Sequence, residues 1–296
     1  MSDSTDSLRR KISSAEDLQS VVRTMKALAA SSIGQYEKSV RALAGYYRTV
    51  ALGLGVCIRE AGPPAILTER NSLPPGGPVN AIVFGSDQGL VGQFNDVVAD
   101  YAVKILTALP GQAAVWAVGE RVHARLADAG VPMVGLFSVP NSVQAITPLV
   151  GQIQMESEAR RRQGEHAQVW VFHNRPQAGA LYEPVSQRIL PLDAPWQQDL
   201  AQVRWPTDRV PQVMGSGTAT LRALIREYLF ISLFRACAES LASENASRLA
   251  AMERADKNIN DLVEALHGTF NQLRQSSIDE ELFDVISGFE ALGGSR

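Results

Sequence analysis

Apolar residues near the start of the chain recur at steps of three and four. From Leu8 they run through Ile12, Ala15, Leu18, Val22, Met25, Ala29, Ile33, Tyr36, Val40, Leu43, Tyr47, Val50 and Leu54 to Ile58. That spacing is one stripe of an amphipathic helix. About fifty residues at ~1.5 Å each predict a helix roughly 75 Å long. Ser7, Asp6 or Thr5 is its expected N-cap. Its expected stop is Gly62-Pro63-Pro64, because proline drives the preceding residue out of the α region.

The end of the chain repeats the pattern in three sections. Leu221, Leu224, Tyr228, Ile231 and Phe234 are bulky. Ala236 to Ala251 is mostly alanine and serine, suited to close approach of two helix axes or to a smooth surface. Met252, Ile259, Leu262, Leu266, Phe270, Leu273, Ile278, Leu282, Val285 and Phe289 are bulky again. Thr218 to Leu292 is predicted as one long helix, roughly 110 Å if continuous. All 15 prolines lie between Pro63 and Pro211, so neither arm is interrupted. A near-3.5 repeat winds two helices around each other, and the two arms are each other's expected antiparallel partner. The C-terminal arm is the longer, so part of it needs another protein. An ordinary helical bundle is the competing reading, but bundles join neighbours by short connections.

Between the arms the period changes. Val79–Phe84, Ala113–Val118, Val131–Phe137, Gln168–His173 and Val185–Leu190 read as strands, and Asn95–Leu109, Glu120–Ala129 and Ser142–Arg162 as helices. Alternation of this kind predicts an α/β sheet covered by helices. The expected fold class is α/β: a long antiparallel coiled coil of N- and C-terminal helices with an inserted Rossmann-like α/β domain. The expected divisions are residues 1–62, 75–212 and 213–296. Pro191 to Pro211 reads as a loop returning the chain to the second arm.

Composition narrows the chemistry. A net charge of −3 gives no basic field for nucleic acid or acidic lipid. Two cysteines, Cys57 and Cys237, are too few for a disulfide framework, though one bridge stays open. The polar, acidic start shows no signal peptide, and no run reaches the ~20 apolar residues of a membrane span. The turn Gly85-Ser-Asp-Gln-Gly-Leu-Val-Gly-Gln-Phe94 sits where phosphate loops sit. It matches neither phosphate-loop pattern, Gln93 follows Gly92, and Asp87 repels a phosphate. Its expected use is a tight turn and close packing. His123, His166, His173 and His267 lack ligand spacing, so no metal, cofactor or catalytic residue is expected. Arg160-Arg161-Arg162 reads as a solvated helix end, and Asp279-Glu280-Glu281 as the opening of a last helical segment. Arg248, Arg254, Arg274 and Gln275 flank apolar positions of the unpartnered arm, a pattern common at protein contacts.

These residues resemble the γ subunit of F-type rotary ATP synthases. Leu8-Arg-Arg-Lys-Ile12 through Val22-Arg-Thr-Met-Lys-Ala-Leu-Ala-Ala30 looks like that family's opening helix. Gly85 to Asn95 resembles its S-D-R-G-L-C-G-G-F-N segment, and Leu181-Tyr-Glu-Pro184 a motif late in its α/β domain. Ser243-Glu244, Arg248-Leu-Ala-Ala-Met252, Asn271-Gln-Leu-Arg-Gln275 and Ile278 carry its C-terminal pattern. The resemblance implies a central-stalk rotor without catalytic residues, at the cytoplasmic face of a bacterial plasma membrane and peripheral to it. Its implied partners are the α and β subunits of the catalytic ring, the ε subunit and the membrane c-ring, with membrane contact only through partners and no nucleic acid. It also implies that Met25, Arg248, Arg274 and Gln275 touch the ring, and Arg254 joins them from its place beside the stripe.

The chain departs from the family at Gln88, Val91, Ala27, Asp256, Asp279 and the Pro191–Gly217 segment. These departures suggest a divergent branch such as the alternative sodium-translocating enzymes. A non-rotary coiled-coil scaffold with a globular hinge is the alternative, and a nucleotide-using enzyme built on the α/β domain a third.

Overall fold

The computed structural model describes residues 4–61, 77–162, 168–192, 196, 198, 200, 202–209, 211–213 and 216–293. Helix α1 spans Thr5–Ala61 and helix α5 Gly217–Gly293, so both arms are unbroken. Between them lie β1 (Val79–Phe84), α2 (Phe94–Ala108), β2 (Ala113–Val118), α3 (Glu120–Asp128), β3 (Met133–Phe137), α4 (Val143–Arg162), β4 (Gln168–Gln177) and β5 (Ala180–Leu190). The expected stop at Gly62-Pro63-Pro64, the side chains of Arg161, Arg162 and Phe289, and His166 lie outside the described residues. The N-cap of α1 is Ser4, one residue before the earliest candidate. Its Oγ accepts the Ser7 N–H at 3.3 Å, and its carbonyl accepts the Leu8 N–H at 3.1 Å. Ser7 is thus a donor inside the first turn.

The chain divides into two compact units: Met1–Leu28 with Leu249–Arg296, and Ala29–Arg248. The second contains a five-stranded sheet in the order β3-β2-β1-β4-β5. β1 pairs in parallel with β2 and β4, and β2 with β3. β5 folds back antiparallel on β4, from Gln177↔Ala180 to Val169↔Leu190. This hairpin is longer at both strands than the apolar runs predicted. Its polar outer end hides it from a search for apolar segments, and Pro184 is tolerated because β5 is an edge strand.

Both faces of the sheet are covered, as parallel strands require. Val79, Ala81 and Val83 of β1 point to a layer with Val98, Ala102, Val122 and Leu126 of α2 and α3. Ile82 and Phe84 point the other way, to Leu54 of α1, Ile146 and Ile153 of α4, and Ile231 and Leu241 of α5. The strict alternation follows from the two-residue period of a strand. The Pro191–Pro211 segment is more than a loop: Trp196, Gln198, Leu200 and Gln202 are helical. Leu200 joins the core, and the Trp196 Nε1–H donates to the Tyr228 hydroxyl at 3.0 Å. Cys57 and Cys237 are buried and neither is in a disulfide, which settles the open question of a bridge.

Glycine is required where β1 ends. A Cβ on Gly85 would lie 2.3 Å from Val122 Cβ and 2.7 Å from Asn95 Oδ1. Gly119, at φ +119°, brings the start of α3 against the Ser86 backbone. These contacts hold the turn after β1 to α3. Gly85→Ala is expected to destabilise the protein by about 1–3 kcal/mol through overpacking. Chemical denaturation of the purified chain checks it; a loss below measurement error refutes the packing argument.

Candidate functional site

In the unit formed by Met1–Leu28 and Leu249–Arg296, the two helices pack antiparallel. Arg9 lies over the Phe270 ring at 5.7 Å, Glu16 meets His267 at 3.8 Å, and Arg23 meets Asp256 at 3.3 Å. The buried positions of α1 here are Leu8, Ile12, Ala15 and Val22, and Gln19 and Lys26 are half-buried at the next places in the same repeat. Steps of four and three through 8, 12, 15, 19, 22 and 26 form one seam. Leu18, read as part of the apolar stripe, is exposed. On α5 the seam runs through Met252, Asp256, Ile259, Val263, Leu266, Phe270 and Leu273, and Leu262 is exposed in place of Val263. The seam skips these leucines because heptad geometry, not hydrophobicity, decides which residue faces the partner.

Two polar layers therefore interrupt an apolar seam. The Gln19 side-chain amide donates to Asn260 Oδ1. Asp256 accepts from Arg23 and meets Lys26 at 3.5 Å, with its own side chain only 16% exposed. Asp256 is the carboxylate that makes Lys26 tolerable in the seam. Beyond Leu273 the α5 side chains through Ser287 are exposed, among them Ile278, Leu282, Phe283, Val285 and Ile286. α1 has its own exposed apolar line at Leu18, Val21 and Leu28, with Met25 half-buried beside it. Phe283, Ile286, Val21 and Leu28 were not singled out by the apolar stripe, because they lie beside it. Exposed apolar lines on two helices are the surface a protein partner covers.

Of the residues proposed from sequence, Arg254, Arg274 and Gln275 are exposed and Met25 is half-buried, all four in this unit. Arg248 lies in the other unit and is turned inward: its side chain is 13% exposed and donates to Glu244 Oε1 at 2.6 Å. Glu244 is itself buried, and its Oε2 has no hydrogen-bond partner. Burial pushes the Glu244 carboxyl above its usual range, against the opposing pull of Arg248. Tyr36 is raised too, by burial and then by Glu244.

The glycine-rich turn has a definite occupant. Asp87 Oδ1 accepts the Glu120 N–H at the start of α3 at 3.0 Å, and Oδ2 accepts the Val139 N–H at 2.9 Å. A helix N-terminus favours an anion, and here the chain's own carboxylate fills that place. Ser86 and Asn95 lock the turn from inside, with Asn95 Nδ2–H donating to Ser86 Oγ at 2.8 Å. The arrangement serves packing rather than phosphate binding.

Two measurements follow. Asp256→Ala alone, leaving Lys26 half-buried and unpaired, is expected to loosen Thr5–Leu28 by up to about 1 kcal/mol, whereas Lys26→Leu with Asp256→Leu keeps or raises protection. Hydrogen exchange of α1 peptides reads both; equal protection in the two variants would refute the polar-layer account. Glu244 has a raised folded-state value, so its favourable contribution is complete below the unfolded value and is lost as pH rises through the folded one. Glu244→Gln is accordingly expected to be least harmful, or stabilising, on the alkaline side. Melting temperatures of both proteins across the pH range check the sign.

Known proteins resemble this chain along nearly its whole length. The family model described as ATP synthase matches residues 4–292. The ATP synthase gamma chain of Syntrophobacter fumaroxidans is 26% identical over 298 residues, covering 96% of this chain and 97% of that protein. That of Nitrosomonas eutropha is 27% identical over 303 residues, covering 98% and 99%. Among solved structures, a chain of the Euglena gracilis mitochondrial ATP synthase assembly of OSCP, F1 and c-ring in rotational state 3 aligns with a TM-score of 0.61 at 17% identity, covering 97% of this chain and 94% of its own. A chain of the rotor of the same enzyme in rotational state 1 aligns with a TM-score of 0.56 at 17% identity, covering 93% and 98%.

Proposed function

We infer the working role of this chain from the family it belongs to, the ATP synthase γ-chain family. It is the non-catalytic central-stalk rotor subunit of an F-type ATP synthase, and the chemistry takes place on the β subunits. The observation that carries this is a family match over residues 4–292, spanning both long helices and the sheet. A non-rotary scaffold is not favoured, since that family match takes in the sheet as well as the helices.

The finer reading concerns contacts. The paired helices, with their exposed lines at Leu18, Val21 and Leu28 and at Ile278, Leu282 and Phe283, suit the inner wall of a ring of α and β subunits. Met25, Arg254, Arg274 and Gln275 are the side chains we assign to that contact. Arg248 contributes through Glu244, as a residue that shapes the surface rather than one that projects from it. An uneven shaft makes different contacts with three β subunits, and differential contact is what shifts a conformational equilibrium. The α/β unit suits the ε subunit and the c-ring. No helix among the described residues is long and apolar enough to cross a membrane. In keeping with the rotor role, we place the protein peripherally, through its partners, at the cytoplasmic face of a bacterial plasma membrane. The division into residues 1–62, 75–212 and 213–296 follows the same reading. Identity of 24–27% to bacterial γ chains suits a divergent branch such as the alternative sodium-translocating enzymes, and the coupling ion, proton or sodium, is chosen in the membrane ring.

Co-expression with the α and β subunits tests the role. One copy of this chain per ring is expected, and a self-sufficient monomer with its own ATPase activity would overturn it. In the assembled enzyme, Arg274→Ala and Gln275→Ala are each expected to lower turnover or coupling by roughly fivefold, equivalent to about 1 kcal/mol of lost contact. Unchanged turnover and ion pumping in both would remove these residues from the contact. Dependence of hydrolysis on sodium in the whole complex decides the ion.

A further inference from the structure

The β4–β5 hairpin, α2 and α5 enclose a half-open recess of about 320 Å³. Its lining is rich in charged and polar groups. Arg175 comes from β4, Arg235 and Glu239 from α5, Tyr101 from α2 and Ser186 from β5, and His173 is also in the wall. His173 is 4% exposed, and its Nε2 lies 2.8 Å from Glu239 Oε2. Arg235 Nε donates to the other Glu239 oxygen at 2.7 Å. The Glu239 carboxylate is thereby satisfied on both oxygens. The Nδ1 of His173 is not: it is buried with no hydrogen-bond partner. Arg175 gives one N–H to Glu183 at 2.8 Å, and Glu183 is not among the lining residues. Each guanidinium has five N–H donors and uses one of them in its carboxylate contact. The Tyr101 and Ser186 hydroxyls lie 3.3 Å apart and add donors to the same wall.

We propose that this recess binds a small oxyanion, with inorganic phosphate as the simplest member of the class. The lining carries two guanidiniums against one carboxylate that already has two donors. Guanidinium groups with free N–H donors match the oxygen atoms of phosphate or carboxylate. His173 completes the site. With Nε2–H donating to Glu239, the neutral ring leaves Nδ1 as an unanswered lone pair. On anion binding Nδ1 takes one proton from solvent and becomes a donor to the bound oxygen. The groups that face His173 are Glu239 and Arg235 from α5, Arg175 from its own strand and the Tyr101 hydroxyl from α2; β5 supplies the neutral Ser186 and Gln187. Burial favours the neutral ring in the empty site, with Glu239 opposing. An oxyanion adds a second negative charge beside the ring and tips it to the protonated form. Affinity therefore falls as pH rises.

The experiment is calorimetric titration of the full-length protein with sodium phosphate, at about pH 6 and about pH 8 around the ordinary histidine value. Each titration is run in two buffers of different protonation enthalpy. The expected result is binding that is tighter at the lower pH, with net proton uptake on the alkaline side of the phosphate pKa. Arg175→Met, at a partly exposed side chain, is expected to weaken binding roughly tenfold. Ser186→Ala weakens it less and serves as the second variant if the first does not fold. Absence of binding at millimolar phosphate at both pH values overturns the proposal. So does binding that is unaltered in both variants, or that shows no proton uptake. None of these outcomes depends on the partner subunits, so the test stands apart from the rotary role.

Discussion

Burying an α-helix on every side is possible only where its side chains are small enough to let other elements approach and most of its polar groups are answered. Residues Ala236 to Glu244 of α5 meet that condition: every one is buried. Ala236, Ala238 and Ala242 admit the neighbouring elements, and Cys237 and Leu241 fill what remains. Several polar side chains here are tied outward to the sheet, while Ser240 Oγ and Glu244 Oε2 are buried without a hydrogen-bond partner. Ser243 Oγ–H donates to the Asn174 carbonyl at 3.1 Å, and Ser247 Oγ–H to the Val91 carbonyl at 2.5 Å. Glu239 reaches His173 on β4. Through these bonds α5 is fastened to β4 and to the turn after β1. The alanine and serine section is therefore the buried axis of this unit and not a smooth exposed surface. A bulky residue at Ala238 or Ala242 would push the helix off the sheet and separate every one of these pairs at once.

The same helix changes character along its length because its partners change. Within Leu249–Arg296 it has α1 on one side, so only a seam is covered. After Leu273 the residues of α1 that could face it have run out, since Thr5 begins that helix and Arg9 already lies over Phe270. Apolar residues continue in the sequence all the same. A helix that keeps placing Ile278, Leu282 and Val285 where none of the described residues covers them offers apolar surface of the kind that protein contacts use. The polar layers at Gln19 and Asp256 are the complement of this. Polar pairs within an apolar seam specify its register, and Lys26 meets its carboxylate in Asp256.

Much of this was readable from the residues alone. Both long helices, all five strands and the sense of the arms follow from spacing and from the placing of proline. The misses have physical reasons. Leu18 and Leu262 look like stripe residues because a period of 3.6 and a period of 3.5 diverge over several turns, and only the second describes a supercoiled pair. Gln19 and Lys26 were invisible as seam residues because a search for apolar positions skips polar ones. Ser4 was passed over because Thr5, Asp6 and Ser7 offer equally good oxygens. The polar half of the β4–β5 hairpin carries no apolar signal. The His173–Glu239 pair joins residues 66 apart, and no local pattern announces a contact of that kind. Asp87 was read only as hostile to phosphate, and its use in capping α3 and holding Val139 joins residues 33 and 52 apart, which no local pattern announces.

The arginines show why a side chain's type does not settle its role. Arg248, Arg254 and Arg274 lie on one helix and were read as one set. Arg248 has Glu244 one turn before it, and the pair at 2.6 Å turns the guanidinium toward the core. Arg254 has Ala250 at that offset and Arg274 has Phe270, neither of which is a carboxylate, and both arginines stay in solvent. The difference is set four residues upstream, by whether the preceding turn supplies a carboxylate. An inward arginine fixes the shape of the surface around it, and an outward one is available to a partner. Both uses occur on a helix with no catalytic duty: the inward pair near Arg248 stiffens the helix beside the sheet, and the exposed arginines leave their guanidiniums in solvent.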